Sequence, residues 1–382
     1  TKGGIIIRFL WSFKKEVLSD QLLRIKKALK KHKRKIINND QLSTVERNIV
    51  QEIKDKTMNL NRNNVTRTMA YLDYYRRFPE IHWSFLAHMV SRNAGWNMTD
   101  LKGSFLPKLL NTKQQNLFFS FLERGNWLIF QDAFPQLLLY EESIKRNKNM
   151  FYLLSFFNVS FFMEVIWNDF YQKQDVSLLT KALIINEQSY IESRVVLNTN
   201  YQKDLLQSFP FQVQDLFSMN QILFPYEENN DINLTGKTLH HFENLHNRIS
   251  FGKKLYSILF HDKTHLKKTE NWAFTTVHTA SRKDYWPSLF NDISEDPPGT
   301  PLKAKLIFCK LVPGGKRLFS PPLLYAWSNV DHEQAEMYDW YSNWLIISEL
   351  KDAPSEGVVD IKEDYCRSLN VMELAVIANQ MF

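Results

Sequence analysis

A run of aromatic and aliphatic side chains at residues 151–167 limits the folds open to this chain more than any other stretch. Its sequence, FYLLSFFNVSFFMEVIW, is apolar on nearly every side of a helix, so we expect it at the buried centre of a helical assembly. The 382-residue chain has only 11 glycines, too few for the tight turns of an all-β protein. We therefore predict an all-α, multi-helical fold.

Helical spacing and capping residues predict the individual helices. We expect them near 64–77, 79–93, 98–110, 113–124, 127–146, 150–170, 177–198, 238–260 and 332–350. A further helix is predicted to begin at Ser43 or Thr44, with Glu46 as the partner in a capping box. The polar stretch 226–231 predicts a surface loop and a boundary. This gives three parts: a basic N-terminal helix (1–40), a helical domain with an aromatic core (41–225), and a second helical half (232–382) with a proline-rich irregular region. Residues 305–312 fit either a strand or a helix end.

The two cysteines, Cys309 and Cys366, are too few for a disulfide framework. We expect no single bridge either, because the sequence shows no secretory signal. The apolar run 5–11 is interrupted by Arg8, and no small-residue cleavage site follows it. No other uncharged stretch reaches the roughly 18 residues that a membrane span needs. The sequence therefore predicts a cytoplasmic protein.

The positive charge of the chain is concentrated at its N-terminus. Residues 1–35 contain twelve Lys and Arg against two acidic residues, a balance of +10, so the remainder carries −3 of the total +7. Phe13, Val17, Ile25 and Leu29 fall near helical spacing between these cations, which predicts a basic amphipathic helix. Three roles are open to such a helix. It packs its apolar stripe on its own protein, or it lies on an anionic membrane surface. Nucleic-acid binding is the less favoured alternative.

One polar pattern occurs twice in the chain. Residues 88–96 (HMVSRNAGW) and 278–286 (HTASRKDYW) both match H-x-x-S-R-x-x-x-W, and W-x-F triplets precede them at 83–85 and 272–274. In a helix, His at i, Ser at i+3 and Arg at i+4 share one face. Each copy is therefore predicted to bring an imidazole, a hydroxyl and a guanidinium together.

Three interpretations of this doubled motif stay open. In the first, the Arg, Ser and His hold an anion such as a phosphate or carboxylate. In the second, the His acts as a general base. In the third, the polar groups bond to buried partners while the Trp fills the core. The candidate catalytic residues are His88 and His278. The candidate anion- or ligand-binding residues are Arg67, Ser91, Arg92, Asn93, Ser281, Arg282 and Asp284.

No sequence signature indicates a metal or a cofactor. His261 and His265 have the spacing of two ligands on one helix, but neither an HExxH motif nor a cysteine pair completes a zinc site. Glycine-rich nucleotide motifs and a GxSxG nucleophile are absent from the sequence. We predict neither a metal site nor a bound cofactor.

Three stretches carry a resemblance to a known family. They are 64–103 (NVTRTMAYLDYYRRFPEIHWSFLAHMVSRNAGWNMTDLKG), 277–290 (VHTASRKDYWPSLF) and, more weakly, 318–341 (LFSPPLLYAWSNVDHEQAEMYDWY). Together they resemble the YppC-like proteins of spore-forming bacteria, a family defined as a domain of unknown function. The resemblance implies a bacterial cytoplasmic protein, but it implies no activity and transfers no catalytic residue.

These observations favour a non-enzymatic binding or scaffolding protein with a candidate contact to an anionic membrane surface through residues 1–35. The alternative is an enzyme that acts on a phosphate- or carboxylate-bearing substrate through the doubled motif. The relative position of the two motif copies distinguishes a shared pocket from ordinary packing.

Overall fold

Helices dominate the architecture, and the predicted mainly α, multi-helical fold is confirmed. A computed structural model of the chain describes residues 18–31, 38–201, 221–228, 231–239, 242–297, 299–307, 309–352 and 357–381. The helices of its N-terminal part are α1 (Asp20–Lys31), α2 (Thr44–Leu60), α3 (Asn64–Arg77), α4 (His82–Asp100), α5 (Thr112–Lys145), α6 (Phe161–Lys173) and α7 (Val176–Ile191).

Side-chain caps fix where several of these helices begin. Ser43 and Glu46 form the predicted capping box at the start of α2, and Asn63 and Asn111 cap α3 and α5 in the same way. The helices predicted at 113–124 and 127–146 are one continuous helix, α5, which passes through Gly125. No helix spans 98–110, because α4 ends at Asp100 and turns follow it.

The aromatic block lies at the centre of the helical part, as predicted, but it is not one helix. Phe151–Phe157 form a 3₁₀ turn, and α6 begins only at Phe161, after Asn158 adopts a left-handed φ of 58°. Phe151 stacks on Trp167 with ring centroids 5.2 Å apart, and both side chains are fully buried. The break in the backbone lets the two halves of the block pack on each other.

A β-hairpin occupies the position of the predicted 226–231 loop. Strand β1 (Gln221–Glu228) pairs antiparallel with β2 (Asp231–Thr238), so residues 226–228 and 231 belong to strands. The chain continues as α8 (Leu245–Phe260) and α9 (Lys263–Thr275), and β1 packs against α4 and α9.

The remaining elements are short except for the last helix. They are β3 (Phe290–Asn291), β4 (Leu306–Ile307), β5 (Lys310–Leu311), β6 (Leu318–Phe319), α10 (Leu323–Ala326) and α11 (Lys362–Asn379). Strand β3 pairs parallel with β6, and β4 pairs antiparallel with β5. The undecided stretch 305–312 therefore contains two very short strands.

The prediction of a helix at 332–350 is wrong. Residues 327–343 form a segment without secondary structure, and a 3₁₀ turn, Trp344–Leu350, follows it. The segment bonds to other elements: Arg194 donates to the Glu336 and Tyr338 carbonyls at 3.0 and 2.9 Å. These bonds give two carbonyls of the segment partners from another element.

A disulfide joins Cys309 to Cys366 on α11, contrary to the expectation that the two cysteines stay unpaired. Sequence spacing could not reveal this pair, because the two cysteines meet only once α11 packs beside β4.

Helix α1 buries its apolar stripe on the protein itself. Ile25 and Leu29 are buried where α1 contacts α6, and the ammonium groups of Lys26 and Lys30 each lie 4.4 Å from the Trp344 ring centroid. The rest of the predicted N-terminal helix, residues 1–17 and 32–37, lies outside the described residues. Among the helices that are described, none combines the length and the hydropathy of a membrane span.

Candidate functional site

The first motif copy lies on helix α4, as predicted. His88 and Arg92 are four residues apart on one face and both are fully buried. The His88 Nδ1 lies 2.8 Å from the Thr68 carbonyl oxygen, so Nδ1 carries the proton and donates to it. The other ring nitrogen, Nε2, then accepts from Arg92 Nε at 3.0 Å. Burial, with the Arg92 charge beside it, holds the pKa of His88 well below its usual range.

Arg92 caps the C-terminal end of helix α9. Its Nη2 donates to the carbonyl oxygens of Ala273, at 3.5 Å, and Thr276. The guanidinium carbon lies 4.8 Å from the Trp272 ring centroid. A cation at this position complements the unpaired carbonyls and the negative end of the helix dipole.

The second motif copy is not helical, contrary to the prediction. The chain passes through Ala280 with a left-handed φ of 67°, and only residues 282–284 form a 3₁₀ turn. The Asp284 carboxylate produces this geometry by accepting from the Thr279 backbone N–H at 2.6 Å and the Thr279 hydroxyl at 2.8 Å. The Ser281 hydroxyl donates to the Ser320 carbonyl.

The arginine of each copy stacks on a tryptophan associated with the other copy. Arg282 lies 4.1 Å from the ring centroid of Trp96, which ends the first motif, while Arg92 lies over Trp272, which precedes the second. Arg282 also donates to Asp100 Oδ2 and to the Tyr365 hydroxyl, both at 2.6 Å. Arg282 therefore ties the second copy to the end of α4 and to α11.

Asn64, at the start of α3, joins the two copies directly. Its side-chain oxygen lies 2.9 Å from His278 Nε2, and its amide nitrogen donates to the Ser91 carbonyl at 2.9 Å and hydroxyl at 3.1 Å. Gly95 permits this approach, because a Cβ there would lie 2.4 Å from the Asn64 oxygen. We call the cluster formed by Asn64, His88, Ser91, Arg92, His278, Ser281, Arg282 and Asp284 the motif junction.

Two of the predicted binding residues lie outside the motif junction. Arg67 bonds to Glu123 Oε2 at 2.5 Å on the side of α3 that faces α5. Asn93 exchanges two 2.9 Å hydrogen bonds with the backbone of Leu223, so it docks strand β1 onto α4. Both side chains therefore connect elements of the fold.

The motif junction is closed to solvent. His88 and Arg92 are 0% exposed, and His278 and Arg282 are each 3% exposed. Two of its atoms, Arg92 Nη1 and His278 Nδ1, have no hydrogen-bond partner among the described residues. His278 Nδ1 lies 3.9 Å from Asp284 Oδ2, and burial, with Arg92 and His88 nearby, holds the pKa of His278 well below its usual range.

No metal centre emerges from the described part of the chain, in which no three His, Cys, Asp or Glu side chains form a group able to hold an ion. His265 instead contacts the Thr235 hydroxyl at 3.0 Å and packs against the Tyr226 ring. Its neighbour in the predicted pair, His261, is exposed.

A cavity of about 240 Å³ lies on the opposite face of α4 from His88 and Arg92. The lining is contributed by α3, α4, α5, α7, α8 and strand β1, and is largely aliphatic and aromatic. Among its residues are Tyr71, Trp83, Leu86, Ala87, Val90, Ala94, Phe121, Gly125, Ile184, Phe242, Phe251 and Leu255. Ser91 also lines it, so one motif residue separates the motif junction from the cavity.

Helices α7 and α8 contribute the charged side chains of the cavity, Glu187 and Arg248. Gln188 on α7 donates to Glu187 Oε1 at 2.6 Å and accepts from Arg248 Nε at 3.0 Å. Burial raises the pKa of the Glu187 carboxyl to about 7, although hydrogen bonds from Gln188 and Trp83 oppose the shift.

Sequence reasoning missed this cavity. The available signals were the small residues Ala87, Ala94 and Gly125 at wall positions, and one acid, Glu187, in the otherwise apolar and neutral end of α7. Neither signal identifies a cavity until the six elements are packed.

Comparison with known proteins agrees with the resemblance. The family model described as "Protein of unknown function (DUF2515)" matches residues 59–355, a span that includes both motif copies and the cavity. The chain is 41% identical over 238 residues to "Uncharacterized protein YppC" of Bacillus subtilis (strain 168), which covers 62% of this chain and 73% of that relative. No solved structure matches the chain.

Proposed function

Since the chain belongs to the DUF2515 family of proteins of unknown function, we propose a role from its own geometry: it binds a small, largely apolar molecule in the cavity beside α4. The cavity carries the proposal. Its walls are mostly apolar and carry only a few polar groups, a composition typical of small-molecule sites.

The size of the cavity sets the size of the ligand. An apolar cavity of about 150 Å³ holds benzene. By proportion, about 240 Å³ accommodates a molecule of roughly ten non-hydrogen atoms. An eight-carbon chain with one polar head group is of this size.

Gly125 on α5 offers a direct test. A Cβ there meets no atom within 4 Å, so Gly125→Leu fills the cavity from one wall while improving helix propensity. We expect saturable binding of 1-octanol to the wild-type protein in isothermal titration calorimetry, weakened roughly tenfold or more by Gly125→Leu. Gly125→Ala, the matched control, should bind as the wild type does. Equal binding of octanol by both variants would contradict the proposal, and so would the absence of saturable binding of any eight-carbon probe, neutral or charged.

The alternative function is an enzyme that acts on an anionic substrate through the motif junction. One observation favours it: Arg92 Nη1 and His278 Nδ1 are unpaired donor and acceptor atoms in the same buried cluster. Against it stands the closure of the motif junction, whose other polar atoms bond to the protein itself.

His278→Gln tests this alternative, because the glutamine amide can still donate to Asn64 while the ring base is lost. The enzyme would hydrolyse p-nitrophenyl phosphate, and His278→Gln would abolish that activity without lowering the melting temperature. A wild-type protein that neither binds inorganic phosphate nor hydrolyses the ester rules out a phosphate-bearing substrate.

We also propose that the basic N-terminus contacts anionic membrane surfaces by charge alone. The supporting observation is that α1 uses Ile25 and Leu29 for packing but leaves Lys27, Lys30 and Lys31 exposed.

Vesicle binding tests this contact. Binding to phosphatidylserine vesicles should fall with added salt and in a triple variant, Lys27→Gln, Lys30→Gln and Lys31→Gln. The matched control replaces three exposed lysines elsewhere, Lys54, Lys56 and Lys113, with Gln. Equal vesicle binding by both triple variants contradicts the contact.

A further inference from the structure

Glu187 is the acidic group of the cavity. It lies near the end of α7 and lines the same space as Trp83 from α4. Two donors hold its carboxyl in place: the Gln188 amide, at 2.6 Å, and the Trp83 indole N–H. Both donors stabilise the ionised form without neutralising its charge.

Arg248 on α8 also lines the cavity, but its charge is already paired with another acid. Arg248 donates to Glu192 Oε2, to the Phe242 carbonyl at 2.7 Å and to Gln188 at 3.0 Å. Gln188 therefore stands between Arg248 and Glu187. Among the described residues, no Lys, Arg or His forms an ion pair with Glu187, and its two hydrogen-bond donors are neutral.

A carboxyl in this position is costly when it is ionised. An ionised carboxylate without a counter-charge loses hydration that apolar walls do not replace. The same walls present several aromatic rings, those of Tyr71, Trp83, Phe121, Phe242 and Phe251, and the faces of such rings attract cations. Because Glu192 balances the charge of Arg248, the Glu187 carboxylate remains an uncompensated negative charge beside surfaces that favour a positive one.

We infer that the cavity takes an organic cation: a protonated amine on an apolar body, with the ammonium group at Glu187 and the body against the aromatic and aliphatic walls. This inference rests on the proposed binding function and names its ligand class. A neutral or anionic head group at the same place would leave the carboxylate uncompensated or repel it. The raised pKa of Glu187 agrees, since a bound ammonium restores the ionised form that burial disfavours.

Three probes with the same chain length separate the possibilities: octylammonium, 1-octanol and octanoate. At about pH 8 the carboxyl is mostly ionised, and we expect octylammonium to bind roughly 30-fold more tightly than octanol, with octanoate weakest. Glu187→Gln retains the shape and an acceptor oxygen. It should remove the advantage of octylammonium while changing octanol binding less than about threefold.

Glu52→Gln is the matched control, because Glu52 is exposed on α2 and its replacement changes the net charge equally. Octylammonium binding should be the same in this variant as in the wild type. If octanol or octanoate binds as tightly as octylammonium to the wild type, the amine inference is overturned while the binding function stands. If none of the three probes binds, both fail. The binding of the three probes to the wild-type protein decides between these outcomes even if Glu187→Gln unfolds.

Discussion

His278 Nε2 lies 2.9 Å from the side-chain oxygen of Asn64, and this one contact joins segments 214 residues apart in the chain. Because the Asn64 amide donates to Ser91 of the first motif copy, Asn64 bonds to both copies of H-x-x-S-R-x-x-x-W and links them. The geometry makes the motif junction a connection between α3, α4 and the loop after α9.

Replacement of Asn64 should therefore destabilise the fold. Asn64→Ala removes the acceptor of the buried His278 ring and the donor to Ser91, so we expect the free energy of unfolding to fall by about 2–4 kcal/mol. Urea unfolding followed by circular dichroism measures it. Asn48→Ala, at an exposed position of α2, should cost less than about 0.5 kcal/mol. Equal costs for the two variants would show that the link contributes little.

The same substitution at two helical glycines should have opposite effects. In Gly95→Ala the new Cβ would lie 2.4 Å from the Asn64 oxygen and 2.9 Å from the Ala280 Cβ, so a loss of several kcal/mol is expected, of order 3. In Gly125→Ala nothing lies within 4 Å, so a gain of roughly 0.5–1 kcal/mol follows from helix propensity. Melting temperatures of the two variants give the comparison, and a tolerated Gly95→Ala would contradict the close packing of the motif copies.

The disulfide should make stability depend on reductant. Cys309 and Cys366 are 57 residues apart, and a cross-link closing such a loop stabilises by about 4 kcal/mol in the loop-entropy account. We expect urea midpoints to fall when a phosphine reductant is added. The double variant Cys309→Ser, Cys366→Ser serves as control, since its midpoint should not respond. A thiol assay that finds two free thiols in the native, unreduced protein would contradict the disulfide.

The contribution of Asp132 to the free energy of unfolding should decline as the pH rises from acid to neutral. Burial raises its pKa from 3.8 to about 7, although the Asn186 and Gln136 amides and the Arg194 charge oppose the shift, with Asp339 adding to it. The folded protein therefore keeps a proton that the unfolded chain releases near pH 4. The associated stability is fully present below about pH 4 and is lost as pH rises through about 7, at most roughly 4 kcal/mol.

Asp132→Asn isolates this effect. The free energy of unfolding of the wild type, minus that of the variant, should decrease steadily from about pH 4 to 7 and stay flat above it. Chemical unfolding at constant ionic strength measures the difference. A difference that is independent of pH would show that Asp132 is ionised in the folded protein throughout this range.

Patterns within a few residues of sequence correctly predicted those features that contacts within one helix determine. The capping box of Ser43 and Glu46 and the shared face of His88 and Arg92 follow from spacing along one helix, and both are found. The second copy matches the same letters, yet Asp284 bonds back to Thr279 and turns the chain. A pattern of four positions does not specify backbone conformation when a local side chain offers the backbone another partner.

Non-local contacts account for the other differences. Residues 332–350 have helical spacing, but Arg194 of another element bonds the Glu336 and Tyr338 carbonyls, which a helix would pair within itself. The cavity and the Cys309–Cys366 bond depend likewise on which elements become neighbours. The Glu187 carboxyl becomes part of a binding wall only when five further elements surround it with mostly apolar side chains.

The sequence by itself determined the mainly α class, the buried aromatic centre and the repeated polar motif, because composition and periodicity act within a few turns of chain. Only the tertiary structure decided that the two motif copies meet as a closed, hydrogen-bonded joint, and that the open space lies on the other face of α4. Burial and close packing depend on long-range neighbours, and these decide whether a polar residue serves as a link or as part of a binding wall.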